Sequence, residues 1–350
     1  MIVDDFIQAL DRRSQAAFEQ AMQALVTEIP RMAPEQVAAT ATGLIPVLER
    51  LPYGIGSFLA PKLGAMCDFG ADPAAILPFL VDRAISVLGD AARFRALATG
   101  IGLDLPESGN EEAVPATMEF LMAEPRDGFS ENDIANVTEA WFAGNGWVQP
   151  VLYLAQRKEV RAMMPRRAEL TAAVEEMREH ISTAHWLYGL LLVLDDEPVV
   201  VLHRASGQAW HCTISGIGDN FQLHTLLAGR LAGFVGAQSP TPVELAAAET
   251  GDPQPADGIK GTFNLVDAFG AWIWNEGRPA DIPHCDGTRV VVIDPAPYAR
   301  SWNAGRAYPL MPPTLTVDAR LPADEAAEWL ARVKPAAQVV KKPASPTPEN

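Results

Sequence analysis

Basic charge is scarce in this chain: 27 Lys and Arg stand against 44 Asp and Glu, a formal net charge of −17 at pH 7. A surface this acidic repels phosphate backbones and anionic lipid, which argues against nucleic acid and membrane as partners. Cysteine is scarce too. Cys67, Cys212 and Cys285 form an odd set with no close pair, which disfavours a disulfide framework and fits a reducing compartment. Long apolar runs are missing: "WLYGLLLVL" at 186–194 is about half of what a bilayer-spanning helix requires. The opening residues, "MIVDDFIQALDRRSQ", carry acids where a secretory signal carries bases, and they lack its apolar core. Together these absences predict a soluble, cytoplasmic protein.

What is present points to two domains. A chain of 350 residues with 48% hydrophobic content can bury more than one ordinary core. Helical spacing dominates the first half: Val3, Ile7, Leu10, Ser14, Phe18, Ala21, Leu25 and Ile29 fall on one stripe that Pro30 ends. A second helix is expected from Pro34 to Arg50. A third has Asp72 as N-cap, Pro73 in its first turn and Gly89 as its stop signal. Ser130 with Asp133 forms a capping box. "LIPVLERL" (44–51) echoes "ILPFLVDR" (76–83), a faint repeat of the kind HEAT-like helical hairpins show. "RKEVRAMMPRR" (157–167) is the one locally basic stretch. It reads as a solvated helix face, or as a docking patch for an acidic partner or for another part of the same protein.

The pattern changes near residue 185. "WLYGLLLVL", "PVVVLH" and "AWHCTISGI" read as three strands of an antiparallel meander, and a helix follows from Asn220 to Val235. Residues 237–260 read as a long surface excursion. Strands resume at 261–266, 288–294 and 314–321, and a last helix runs from Ala323 to Val333. The expected fold class is therefore α+β: an all-α domain over 1–183, built of HEAT-like helical hairpins or as a plain bundle, an α+β domain with an antiparallel or mixed sheet over 184–335, and a disordered tail over 336–350.

No assembled catalytic motif is visible. Gly216-Ile217-Gly218 precedes a helix, yet Phe221 replaces the third glycine of a dinucleotide fingerprint and no Lys-Ser/Thr pair follows. Asp219 or Asn220 is expected to fill the N-cap instead. Thr213 stands where a nucleophile elbow around Ser215 needs glycine. If Ser206-Gly207 is a two-residue hairpin loop, His203 faces Trp210, and His203 and Cys212 become diagonal neighbours on one apolar face. They are weak candidates for a metal pair, His211 points away, and no zinc-type two-residue spacing exists. No metal or cofactor is expected. His224 shares a stripe with Leu227, Leu231 and Val235, so it reads as buried, either structural or a tuned base.

Polar and aromatic residues concentrate between 264 and 308. Glu276 and Asp294 are the candidate acid/base groups, with His224 as base. Trp274, Tyr298, Arg300, Trp302 and Arg306 are candidates for gripping a ligand or partner. The same residues can equally cover core and pair with acids of the chain. The resulting expectation is a non-catalytic interaction or accessory protein with a protein partner. The alternative is a metal-independent enzyme or small-ligand-binding protein with its site around residues 276–306.

Overall fold

The computed structural model describes residues 2–126, 128–252, 255, 257–303 and 306–337. The chain divides after Leu191 into two units. The first contains α1 (Ile2–Asp11), α2 (Gln15–Glu28), α3 (Pro34–Glu49), α4 (Tyr53–Ala65), α5 (Pro73–Gly100), α6 (Val114–Met122), α7 (Glu131–Leu154), α8 (Lys158–Ala162), α9 (Arg167–Met177) and α10 (Ser182–Leu191). The second contains β1 (Glu197–His203), β2 (Gln208–Ser215), α11 (Asn220–Val235), α12 (Pro242–Thr250), β3 (Ile259–Lys260), β4 (Phe263–Asp267), β5 (His284–Cys285), β6 (Thr288–Pro295), β7 (Ser301–Trp302), β8 (Thr314–Arg320) and α13 (Ala323–Arg332). A helical region followed by a mixed sheet makes this an α+β protein.

Side-chain capping sets the starts of α2, α5, α7, α11 and α12. Asp72 accepts from the Ala74 N–H at 2.9 Å and starts α5. Ser130 and Asp133 exchange bonds of 3.1 and 3.0 Å at the start of α7. Three expectations fail, each for a physical reason. The stripe from Val3 to Ile29 is two helices, because Ser14 caps α2 by accepting from the Ala17 N–H at 3.3 Å. Arg13 meanwhile turns the chain at φ +50°. Gly89 does not stop α5: one glycine costs about 1 kcal/mol in a helix, less than burying Val87, Leu88, Ala91 and Phe94 around it returns. "WLYGLLLVL" is not a strand, since residues 182–191 form α10 with Ala184, Leu187, Leu190 and Leu191 buried at helical spacing. A short apolar run fits a buried helix as well as a strand, and here neighbouring helices α7 and α9 receive it.

Buried aromatics hold the first unit together. Phe94 stacks on Trp141 with ring centroids 5.1 Å apart, and the Trp147 Nε1–H donates to the Tyr53 carbonyl at 3.0 Å. The basic stretch is used up internally. Arg157 pairs with Asp68, Arg166 with Asp82 and Glu169 at 2.8 and 2.6 Å, and buried Arg161 donates to the Ala155 and Gln156 carbonyls at 2.9 Å each.

In the second unit the main sheet runs β4-β6-β1-β2-β8, with β5 alongside β6. β1 and β6 are parallel and the other neighbours antiparallel. The pleat sorts its residues by face. Val199, Val201, Trp210, Cys212 and Ile214 share a core with Leu223, Leu227 and Leu231 of α11. Val200, Leu202, Val290 and Val292 share the other with Ala326 of α13. His203 pairs with Gln208, not Trp210, so the hairpin loop has four residues, 204–207. The slip is two residues, an even number, so every side chain keeps the face that alternation assigns it.

The excursion over 237–260 contains a helix. Thr241 and Glu244 form a capping box, with Pro242 in the first turn of α12. Ala336 and Ala337, assigned to the tail, belong to the ordered sheet edge: the Lys334 and Ala337 N–H groups donate to the Ala268 and Gly270 carbonyls at 2.9 and 2.8 Å. Residues 338–350 of the expected tail lie outside the described residues.

Candidate functional site

Two arrangements in the second unit involve the candidate residues. The first is buried. Asp219 caps α11 by accepting from the Gln222 N–H at 2.8 Å, and burial raises its carboxyl pKa. The glycine three residues before it has no substitute: Gly216 lies at φ +66°, and a Cβ there would sit 2.6 Å from the Pro312 carbonyl oxygen. One turn into α11, His224 is fully buried. Its Nε2 accepts from both the Thr262 and Phe263 N–H groups at 3.1 Å each, so the ring proton lies on Nδ1. Burial, reinforced by the Arg300 charge and partly offset by Asn275, pushes its pKa down to about 3.

Arg300 and Trp302 close around the same segment. Arg300 Nη2 donates to the Phe263 carbonyl at 2.8 Å, and its own carbonyl receives the Gly261 N–H at 2.9 Å. The Trp302 ring lies 5.0 Å from His224 and 5.5 Å from Phe221. Among the described residues, His224 Nδ1, Arg300 Nε and Trp302 Nε1 are buried donors without a partner, and Asn220 Oδ1 and Asn275 Oδ1 are buried acceptors without one. The Asn275 amide interacts with the His224 ring without completing a hydrogen bond to it. Asn220, expected only as an alternative N-cap, and Asn275, one of the polar residues between 264 and 308, were not among the candidate site residues. The available signal was Asn220 four residues before His224, on one helix face. The cluster can donate to and accept from a small polar molecule, but the Nε2 lone pair of its imidazole is already taken by the two backbone N–H groups.

The second arrangement is exposed. Asp267 Oδ1 accepts from the Phe269 and Ala271 N–H groups at 2.8 and 2.9 Å, folding a tight turn after β4. Residues 271–273 then return along β4, with the Ile273 N–H donating to the Leu265 carbonyl at 2.9 Å. Ile273 points into the core, while Trp272 and Trp274, one residue to each side, face the other way. Their rings lie 5.7 Å apart, and Tyr298 lies 6.5 Å from Trp272. Trp274 is 59% exposed and Tyr298 50%. Trp272 is anchored through its Nε1–H to the Ala337 carbonyl at 3.0 Å.

The other candidates do not converge. Asp294 continues the Val290, Val292 face, opposite the α11 face that holds His224, and it pairs with Arg204 at 3.2 Å. Glu276 is exposed. Arg306 turns inward and donates to the Tyr308 and Met311 carbonyls. No acid/base pair is therefore assembled from His224, Glu276 and Asp294. His203 and Cys212 share a face, but Cys212 pairs with Val199. That is four residues from His203, or about 13 Å at ~3.3 Å per residue, far beyond a shared metal ion. His203 Nδ1 instead meets Ser206 Oγ at 2.6 Å, and burial pushes the Cys212 thiol up to about 12. Among the described residues no group of three or more His, Cys, Asp or Glu is placed to hold a metal, and no helix is long and apolar enough to cross a membrane. Compared with protein-family models, curated proteins and solved structures, the chain matches none.

Proposed function

We propose that this chain is a non-catalytic interaction or accessory protein whose second unit binds a protein partner through Trp272, Trp274 and Tyr298. What carries this reading is the grouping of three rings within 6.5 Å of their neighbours, two of them at least half exposed. Rigid aromatics on a turn pinned by a buried carboxylate lose little conformational entropy on binding, which is why such residues dominate interface energetics. A cytoplasmic location, a HEAT-like first unit, and avoidance of nucleic acid and membrane complete the reading. They are supported by the cysteine usage, the prolines inside α3 and α5 and the net charge of −17.

In-cell cross-linking with mass spectrometry tests it, comparing the natural chain with Trp274→Ala/Tyr298→Ala and with a Trp186→Ala control on the first unit. Cross-links lost only in the aromatic double variant support the proposal. An identical cross-link set in all three removes it. A second reading, a small-ligand-binding protein, is favoured by the unpartnered polar atoms of Asn220, His224, Asn275, Arg300 and Trp302. A metabolite that co-purifies with the natural chain and is lost on Asn275→Leu substitution would carry it.

A further inference from the structure

The first unit holds an open apolar groove that the aromatic surface does not involve. Its volume is about 820 Å³, within the range of roughly 300–1,000 Å³ typical of small-molecule pockets. Leu10, Phe18, Met22, Val26, Ile55 and Phe58 form most of its wall. Val26, Ile55 and Phe58 are 51%, 46% and 54% exposed, a grouping that water disfavours at about 25 cal/mol per Å² of apolar area. The groove follows α2 from Gln15 to Val26, a length of about 17 Å at 1.5 Å per residue.

Its charges are arranged unequally. Arg13 is the only cation among the described residues of the lining and stands at one end, held there by its left-handed backbone at φ +50° in the turn between α1 and α2. Among the described residues it has no carboxylate partner. Asp11, two residues away, is paired with Arg50 at 2.6 Å. The N-terminus of α2 opens at the same end, with no acid in its first turn and only one of its first amides capped by Ser14. Glu19, the only acid among the described residues of the lining, lies further along and receives the Gln15 amide at 2.9 Å. An apolar trough with a cation at one end and an anion partway down selects both a chemistry and an orientation.

We propose that this groove binds a free long-chain carboxylate. The acyl chain lies along α2 against Phe18, Met22 and Phe58, and the head group meets Arg13 and the first amides of α2. Glu19 repels the carboxylate from the middle of the trough and so fixes its direction.

The test uses the full chain and a dansyl-labelled undecanoate below its micellar concentration, displaced by dodecanoate or by dodecanol. One saturable site is expected. Phe58→Asp, which adds a charge to an exposed wall residue, should weaken binding at least tenfold. Arg13→Asn keeps a residue at ease in the left-handed region. It should weaken dodecanoate roughly two- to fivefold, the scale of one exposed ion pair, and leave dodecanol unchanged. Circular dichroism confirms that both variants fold. The proposal is overturned by the absence of saturable uptake, by Phe58→Asp binding as the natural chain does, or by equal effects of Arg13→Asn on acid and alcohol. It is overturned equally if the groove instead drives sedimentation with phosphatidylglycerol vesicles or a concentration-dependent dimer that Phe58→Asp abolishes.

Discussion

Replacing His224 by leucine removes one side chain and strands two backbone donors. The Thr262 and Phe263 N–H groups both end on Nε2 at 3.1 Å, and leucine offers no acceptor. Each buried donor left unmade costs about 1–3 kcal/mol, so the variant should lose roughly 2–6 kcal/mol. The His224→Gln substitution returns one acceptor through its side-chain carbonyl and should lose less. The ring also makes a pH signature. Its folded pKa lies near 3 against 6.5 when unfolded, so protons favour the unfolded chain. Its stabilising effect is complete above about pH 6.5 and fades as pH falls toward 3. Between pH 7 and pH 4 the natural chain should lose about 3 kcal/mol that His224→Gln does not, taking ~1.4 kcal/mol per pH unit. Hydrogen exchange read on residues 259–266, beside urea unfolding at both pH values, measures both effects. The reasoning is refuted if His224→Leu stays within about 0.5 kcal/mol of the natural chain, a margin typical of inert surface changes, or if the two pH profiles run parallel.

Further substitutions bear on the scaffold. Gly216→Ala forces a Cβ to 2.6 Å from the Pro312 oxygen at φ +66° and should cost about 2 kcal/mol or more, read as a fall in Tm. Gly89→Ala goes the other way: nothing lies within 4 Å of the added carbon, and α5 should gain up to about 1 kcal/mol. Asp219→Ala removes the α11 cap and should cost about 1 kcal/mol, measured by urea midpoint. Trp274→Ala should change stability by less than about 0.5 kcal/mol while removing the cross-links assigned to the aromatic surface.

Local chemistry was readable at several helix starts and on the faces of the sheet. Asp72, Ser130 and Asp219 each cap a helix two or three residues away, and alternation placed Val199, Val201, Trp210 and Cys212 on one face before any register was known. The same rules, applied further, would have found α12, whose Thr241-Pro242 and Glu244 form a complete start signal inside a stretch read as loop. They misread Ser14, which apolar spacing counted as part of a stripe and which instead ends it. The candidate site was less legible. Trp274 and Tyr298 emerged as surface groups, whereas Arg300, Trp302 and Arg306 turned inward, because the backbone carbonyls they meet are invisible to a residue-type argument.

By itself, the amino-acid order determined the α+β class, the starts of helices such as α3, α5, α7 and α11, and the two faces of the sheet, since these depend on contacts within about four residues or on the period of the pleat. Only the tertiary structure decided that residues 186–191 belong to a helix, that His224 braces Thr262 and Phe263, that Asp294 is taken by Arg204, and that Trp272 and Tyr298 meet. Those pairings join residues 26 to 90 positions apart. No local preference encodes them; they arise when apolar faces pack and carry their polar neighbours along.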